Sequence, residues 1–232
     1  MAAKGLILLL FFSGLVSSNV EKTIFLAPEA REIAHDAVLL GRRLPVLTPS
    51  NWSLRTKIDA EFPTEGSSQG KVSWFFLDNL TEYQRYEVRI CWAATQPTAF
   101  TLKTYEPSVA WEQPDLRASI ERFVPNSQQQ DIRTGVAEPT SDQPRISSAL
   151  VLQVSAAADY FTKNATLMSN VPLVDVDVVL DPYILNVFPR SLLPNAACIV
   201  LVAIGSFFVS RWVIALIDGL LRADAALEKK QQ

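Results

Sequence analysis

Asp175-Val176-Asp177 is the acidic pair whose spacing suits chemistry, because an Asp-x-Asp motif holds a divalent cation in many sugar-nucleotide transferases. Alternation explains the pair more simply. In Val174-Asp175-Val176-Asp177-Val178-Val179-Leu180 both carboxylates fall on the solvent face of a strand, with valines on the other face. His35, beside Asp36, is the single histidine, so a His-based triad or a His-rich metal site has little to build on. Neither a Gly-rich phosphate loop nor a Cys-x-x-Cys pair is found. The formal charge of -3 carries no basic excess and points away from nucleic acid. These residue types describe a non-catalytic protein with no cofactor.

The remaining signals concern membranes and the secretory pathway. Lys229 and Lys230 stand in the final Lys-Lys-Gln-Gln, the dilysine pattern by which coat proteins return membrane proteins to the endoplasmic reticulum (ER). Such a signal is read from the cytosol, so a membrane span should precede it. Arg190 and Arg211 bracket an uncharged stretch, 191–210, whose dense apolar part runs from Ala196 to Ile204 and on through Phe207-Phe208-Val209. About 20 residues rising roughly 1.5 Å each give roughly 30 Å, the thickness of a bilayer core. Arg211 can snorkel to the headgroups, and Arg222, Lys229 and Lys230 put further positive charge on the cytosolic side.

At the other end, Lys4, the apolar run Gly5 to Val16 and the small residues Ser17 and Ser18 read as a signal peptide cleaved after Ser18. The expected organisation is a signal peptide over 1–18, a lumenal domain over 19–181, a membrane-proximal linker over 182–191, a transmembrane helix over 192–217 and a cytosolic tail over 218–232. The topology is single-pass type I. Asn51, Asn79 and Asn164 each open an Asn-x-Ser/Thr glycosylation sequon on the lumenal side, which places them on exposed loops. Cys91 is lumenal and Cys198 lies inside the span, so the two cannot pair and no disulfide framework holds the domain.

Lumenal periodicity is that of strands. Tyr86, Val88, Ile90 and Trp92 share one face of a half-buried strand, with Glu87, Arg89 and Cys91 on the other. Phe100-Thr101-Leu102, Leu150 to Val154 and Val174 to Leu180 alternate likewise, and Thr23 to Leu26 and Ser73 to Leu77 are shorter candidates. Leu80 followed by Tyr86 at the opening of a strand matches the tyrosine corner of fibronectin type III domains, in which the Tyr hydroxyl bonds back to the turn it closes. The expectation is mainly β: an antiparallel β-sandwich of fibronectin III or immunoglobulin type, plus one C-terminal transmembrane helix. Pro107 to Arg145 breaks the rhythm, with a short helix over Pro114 to Phe123 presenting Leu116, Ile120 and Phe123, and then a polar mobile loop near 124–145.

Between Leu180 and Pro194 apolar residues alternate with prolines, which suits neither a long strand nor a long helix. One reading is a stiff linker. The other is a docking surface in which exposed Tyr183, Ile184, Val187 and Phe188 meet another membrane protein or the lipid interface.

The signal peptide, Trp74-Phe75-Phe76-Leu77 to Leu80, Tyr86 to Trp92 followed by Gln96-Pro97-Thr98, the Leu180-Asp181-Pro182-Tyr183 to Pro194 linker, the span and the lysine-bearing tail together resemble the fungal small subunit of the second mannosyltransferase of glycosylphosphatidylinositol (GPI) anchor synthesis. The resemblance implies an ER-resident, non-catalytic co-activator that stabilises a multi-span catalytic subunit, which transfers mannose from dolichol-phosphate-mannose. Arg211, Tyr183 and Phe188 are then candidate partner contacts, and snorkelling remains the alternative role for Arg211. A translocon-associated or cargo-receptor-like type I protein is a second reading. A lumenal enzyme built on Asp175 and Asp177 is a third.

Overall fold

The computed structural model describes residues 18–32, 43–127 and 146–228, the 1–17, 33–42, 128–145 and 229–232 segments lying outside it. The described chain is mainly β, with two sheets and one C-terminal apolar helix. It forms two units, one ending at Val187 and one beginning at Phe188.

The first sheet of the first unit is antiparallel, in the order β1 (Ser18–Leu26), β6 (Arg85–Ala93), β9 (Val174–Ile184), β4 (Ser53–Ile58). In the second sheet β8 (Ile146–Ala158) is central. β5 (Lys71–Leu80) pairs along one of its edges, and β7 (Thr98–Tyr105) and the short β2 (Arg31–Glu32) along the other. β3 (Val46–Leu47) runs parallel to β5, a departure from the all-antiparallel expectation. The local reason is a loop that returns the chain to the outer edge of β5, where the Phe76 N–H donates to the Pro45 carbonyl at 2.9 Å.

Period-2 alternation assigns the faces. Tyr86, Val88, Ile90 and Trp92 of β6 and Val174, Val176, Val178 and Leu180 of β9 enter one buried cluster with Phe75 and Leu77 of β5 and Leu150, Leu152 and Val154 of β8. Both sheets therefore share a core. Trp74 and Phe76 of β5 and Ala149 and Val151 of β8 point the other way, into a second cluster. That cluster is closed by α1 (Pro107–Glu112) and α2 (Pro114–Ser127), through Ala110, Ile120 and Val124. A strand covered on both faces reads as a continuous apolar run, and Trp74-Phe75-Phe76-Leu77 is that run. Trp74 Nε1 donates to Ser119 Oγ of α2 at 3.1 Å, so the indole stays satisfied while buried.

Helix α2 begins at Pro114, as the sequence predicts, and presents Leu116, Ile120 and Phe123 to the sheet. Its extent corrects the expected loop near 124–145. Val124 is buried and the helix continues to Ser127, because Val124 extends the apolar stripe one position beyond Phe123; 128–145 lies outside the described residues. Helix α1 was not foreseen. Gly70 has φ of +72°, and a Cβ there would lie 2.2 Å from the Ala156 carbonyl oxygen, so only glycine lets the chain enter β5 this close to β8.

The tyrosine hydroxyl performs the role expected of it. Tyr86 Oη accepts the Thr81 N–H and donates to Gln84 Oε1, each at 3.0 Å, closing the turn between β5 and β6. Tyr86→Phe removes both bonds without changing ring packing, and should cost about 1–2 kcal/mol. Urea unfolding of the detergent-solubilised chain followed by near-UV circular dichroism checks this; an unchanged midpoint would show the hydroxyl to be idle.

Candidate functional site

Cross-strand register decides what the polar residues can do. Asp177 lies opposite Arg55 and Asp175 opposite Lys57 on the β4–β9 pair. Arg55 grips Asp177 bidentately, Nε to Oδ1 and Nη2 to Oδ2 at 2.8 Å each, and Lys57 Nζ lies 3.6 Å from Asp175. The guanidinium hydrogen bonds hold the Asp177 carboxyl below its ordinary range. Both members of the Asp-x-Asp pair are thus engaged by cations of the neighbouring strand. Among the described residues no cluster of three or more metal-ligating side chains occurs.

The charged side chains that come together densely are others. Across the outer face of the first sheet, Glu87 Oε2 accepts from Lys22 Nζ of β1 at 3.0 Å and from Tyr183 Oη of β9 at 3.4 Å, while Glu87 Oε1 accepts from Arg89 Nη1 at 3.2 Å. Arg89 Nη1 also reaches Asp181 Oδ2 of β9 at 3.5 Å, and Glu87 stands directly opposite Asp181 in register. The carboxylates of Glu87 and Asp181 keep only 5% and 6% of their exposure. Alternation gives the correct face for Glu87 and Arg89 but misses this burial. Glu87 is covered by Lys22 of β1 and Tyr183 of β9 as well as by Arg89 of its own strand, and Asp181 by Arg89 across the β6–β9 pair. The network cross-links three strands, and its carboxylates are occupied rather than open to a ligand.

Tyr183 overturns an expectation. It is 7% exposed and buried in this network, because β9 does not stop at Leu180 but continues to Ile184. Pro182 is accommodated within β9 opposite Tyr86. Burial first, and the nearby Glu87 charge second, push the Tyr183 phenol above its ordinary value. Lys22 is raised chiefly by its hydrogen bond to Glu87, and Cys91, half-buried on the same face, is raised by burial. A thiol shifted in that direction is a weak nucleophile at neutral pH. Cys91 and Cys198 are both free.

Beyond Tyr183 the chain makes a tight turn. Leu185 and Asn186 both have positive φ, +53° and +59°, and the Val187 N–H donates to the Ile184 carbonyl at 3.1 Å, the geometry of a type I′ turn. The left-handed region costs leucine roughly 1–2 kcal/mol. Asn186 anchors the turn: its Oδ1 accepts the Arg85 N–H at 2.7 Å and its Nδ2 donates to the Tyr83 carbonyl at 2.9 Å. Tyr83 is itself at φ +57°, and its N–H donates to the Ala27 carbonyl after β1 at 3.0 Å. Leu185 is 90% exposed and Val187 76%.

The second unit opens with β10 (Phe188–Pro189) and a 3-10 turn over Arg190–Leu192, which lead into α4 (Leu193–Glu228). Arg190–Gly219 is long and apolar enough to cross a membrane, and none of its most apolar stretch is buried within the chain. The helix outlasts the expected 192–217 span, running into the expected tail, since Asp218-Gly219-Leu220-Leu221 contains no helix-stopping proline. Phe188 is half-buried, and Arg211 is exposed with its guanidinium carbon 6.0 Å from the Phe207 ring centroid.

Asn51 is exposed in the Thr48–Asn51 turn before β4. Asn164 is exposed and caps α3 (Ala165–Ser169), its Oδ1 accepting the Thr166 N–H at 3.0 Å. Asn79 is not in a loop as expected. It occupies a bulge within β5, where pairing with β8 shifts between Leu77 and Leu80, and φ of +53° turns its side chain out to solvent. Lys229, Lys230 and the 1–17 part of the expected signal peptide lie outside the described residues, and Ser18 already pairs with Ala93 in β1.

No protein-family model, curated protein or solved structure matches the chain. Two outcomes follow from the outer-face network. Glu87→Gln removes the charge that Lys22, Arg89 and Tyr183 share, and should destabilise the first unit by about 3 kcal/mol, measured as a shift in urea midpoint. Groups whose folded values are raised contribute stability that is complete below their unfolded values and is lost as pH rises through the folded ones. Lys22, Tyr183 and Cys91 all shift upward, so stability should fall above about pH 9. Unfolding curves from neutral pH into this range at constant ionic strength test it. Tyr183→Phe and Cys91→Ala should each flatten the decline, and unchanged slopes would remove these groups from the account.

Proposed function

We propose that this chain is a non-catalytic, ER-resident single-pass accessory subunit that stabilises or activates a multi-span mannosyltransferase adding the second mannose to the GPI-anchor precursor. The observation that carries the reading is the apolar helix over Arg190–Gly219, whose side chains are exposed along its most apolar stretch. Side chains of that kind require lipid or other apolar helices around them. A β-rich unit precedes it whose acidic pairs, Asp175 with Asp177 and Glu87 with Asp181, are occupied by cations of the same chain. The resemblance of the Trp74 to Leu80, Tyr86 to Thr98 and Leu180 to Pro194 segments to the co-activator family supplies the choice of partner.

In this reading the two sheets form a lumenal β-sandwich of fibronectin III or immunoglobulin type, supported by their shared core and by the Tyr86 turn. The type I orientation puts Lys229 and Lys230 in the cytosol for coat proteins and the sequons at Asn51, Asn79 and Asn164 in the lumen. A partner bound to the native state stabilises it by mass action, so depleting this chain lowers the amount of active transferase without altering its chemistry.

Purification from digitonin-solubilised membranes through a tag placed after the signal peptide, with Lys229 and Lys230 left intact, tests the assignment. The expected result is near one-to-one recovery of a multi-span mannosyltransferase, with accumulation of the one-mannose GPI precursor when the chain is depleted. Recovery of translocon components or secretory cargo, with GPI precursors unchanged, would assign the chain to transport instead.

A further inference from the structure

The first sheet ends in two interlocked turns that expose apolar side chains at a conformational cost. Among the described residues four non-glycine residues have positive φ, and three of them, Tyr83, Leu185 and Asn186, stand at this one end. Asn186 clamps the two turns together through Arg85 and Tyr83, and Ala27 fastens the Tyr83 turn to the end of β1. The side chains displayed there are Leu26 at 55% exposure, Tyr83 at 57%, Leu185 at 90% and Val187 at 76%. A type I′ turn is best served by Asn-Gly, yet its first central position here is a leucine, strained and almost wholly in solvent. Among the described residues that leucine is 90% exposed and takes no part in either apolar cluster.

We propose that this double turn is a foot that seats Leu185, Val187 and Tyr83 in the headgroup and upper acyl region of the bilayer. The inference rests on the single-pass membrane reading above. Sequence continuity selects lipid as the occupant: only Phe188 and Pro189 separate Val187 from Arg190, where the apolar stretch begins. The chemistry agrees, since a tyrosine beside protruding aliphatic side chains is the composition of membrane–water interfaces. Rigid anchoring by Asn186 means the apolar tip loses little conformational freedom when it enters lipid.

The test uses the full chain in phosphatidylcholine vesicles, with Cys91→Ala and Cys198→Ala as background. Leu185→Cys, Lys103→Cys and Val202→Cys are made singly and labelled with an environment-sensitive fluorophore. Lipids carrying a nitroxide near the glycerol end of the acyl chain are the quencher for positions 83, 103 and 185, and lipids carrying it near the methyl end are the quencher for position 202, which lies near the middle of the apolar stretch. Quenching at position 185 several-fold above that at exposed position 103, with quenching also at 202, is the expected result, and Tyr83→Cys repeats the measurement on the other turn. Quenching at 202 with both 83 and 185 at the level of 103 would overturn the foot while leaving the span intact. That outcome, combined with shielding of 185 only when a co-purified protein is bound, would assign the tip to a protein interface. Absence of quenching at 202 would overturn the membrane reading and the foot with it. Leu185→Gly separates structure from lipid contact: glycine adopts positive φ freely, so the unfolding temperature should rise while binding of the tip to lipid weakens.

Discussion

Strand β6 has to satisfy two incompatible surroundings at once. Its Tyr86, Val88, Ile90 and Trp92 face enters the core shared by both sheets, and its Glu87 and Arg89 face lies beneath Lys22, Asp181 and Tyr183 from the flanking strands. A slip of one residue against β1 or β9 would drive Glu87 and Arg89 into the apolar core and expose four large hydrophobic side chains. Register along this strand is therefore among the most strongly determined features of the fold. It also sets the pairing of β9, and through β9 the position of the turn that follows it.

The second sheet solves a different problem. β5 and β8 are apolar on both faces, so a single partner sheet cannot bury them, and helices α1 and α2 cover what remains through Ala110, Ile120 and Val124. Trp74 illustrates the cost of that arrangement: its ring is wholly buried between sheet and helix, and its one polar atom is matched by Ser119. The helices are thus a third layer of the unit rather than an excursion between strands.

Stability and display are in tension at the end of the first sheet. Tyr83, Leu185 and Asn186 occupy backbone conformations that side chains disfavour, and the hydrogen bonds from Asn186 to Arg85 and Tyr83 hold them there. Strain that persists next to exposed apolar groups, in a protein whose core is otherwise well satisfied, fits a surface shaped for contact.

What the sequence determined by itself were the features that depend on short-range periodicity. These are the apolar stretch after Arg190, the alternating faces of β6, β7 and β9, the helix beginning at Pro114, and the hydroxyl role of Tyr86 in its own turn, whereas β8, expected to alternate from Leu150 to Val154, is buried on both faces. Each is set by residues a few positions apart, where side-chain direction follows from helix or strand geometry. Only the tertiary structure decided that Tyr183 is buried, that Glu87 and Asp181 are sheltered under cations, that Asp175 and Asp177 face Lys57 and Arg55, and that α1 and α2 close the outer face of β5. Those facts turn on pairs separated by tens of residues. Alternation can say which face a side chain takes, but whether that face meets water or a neighbouring strand depends on register across the sheet, and no local pattern records it.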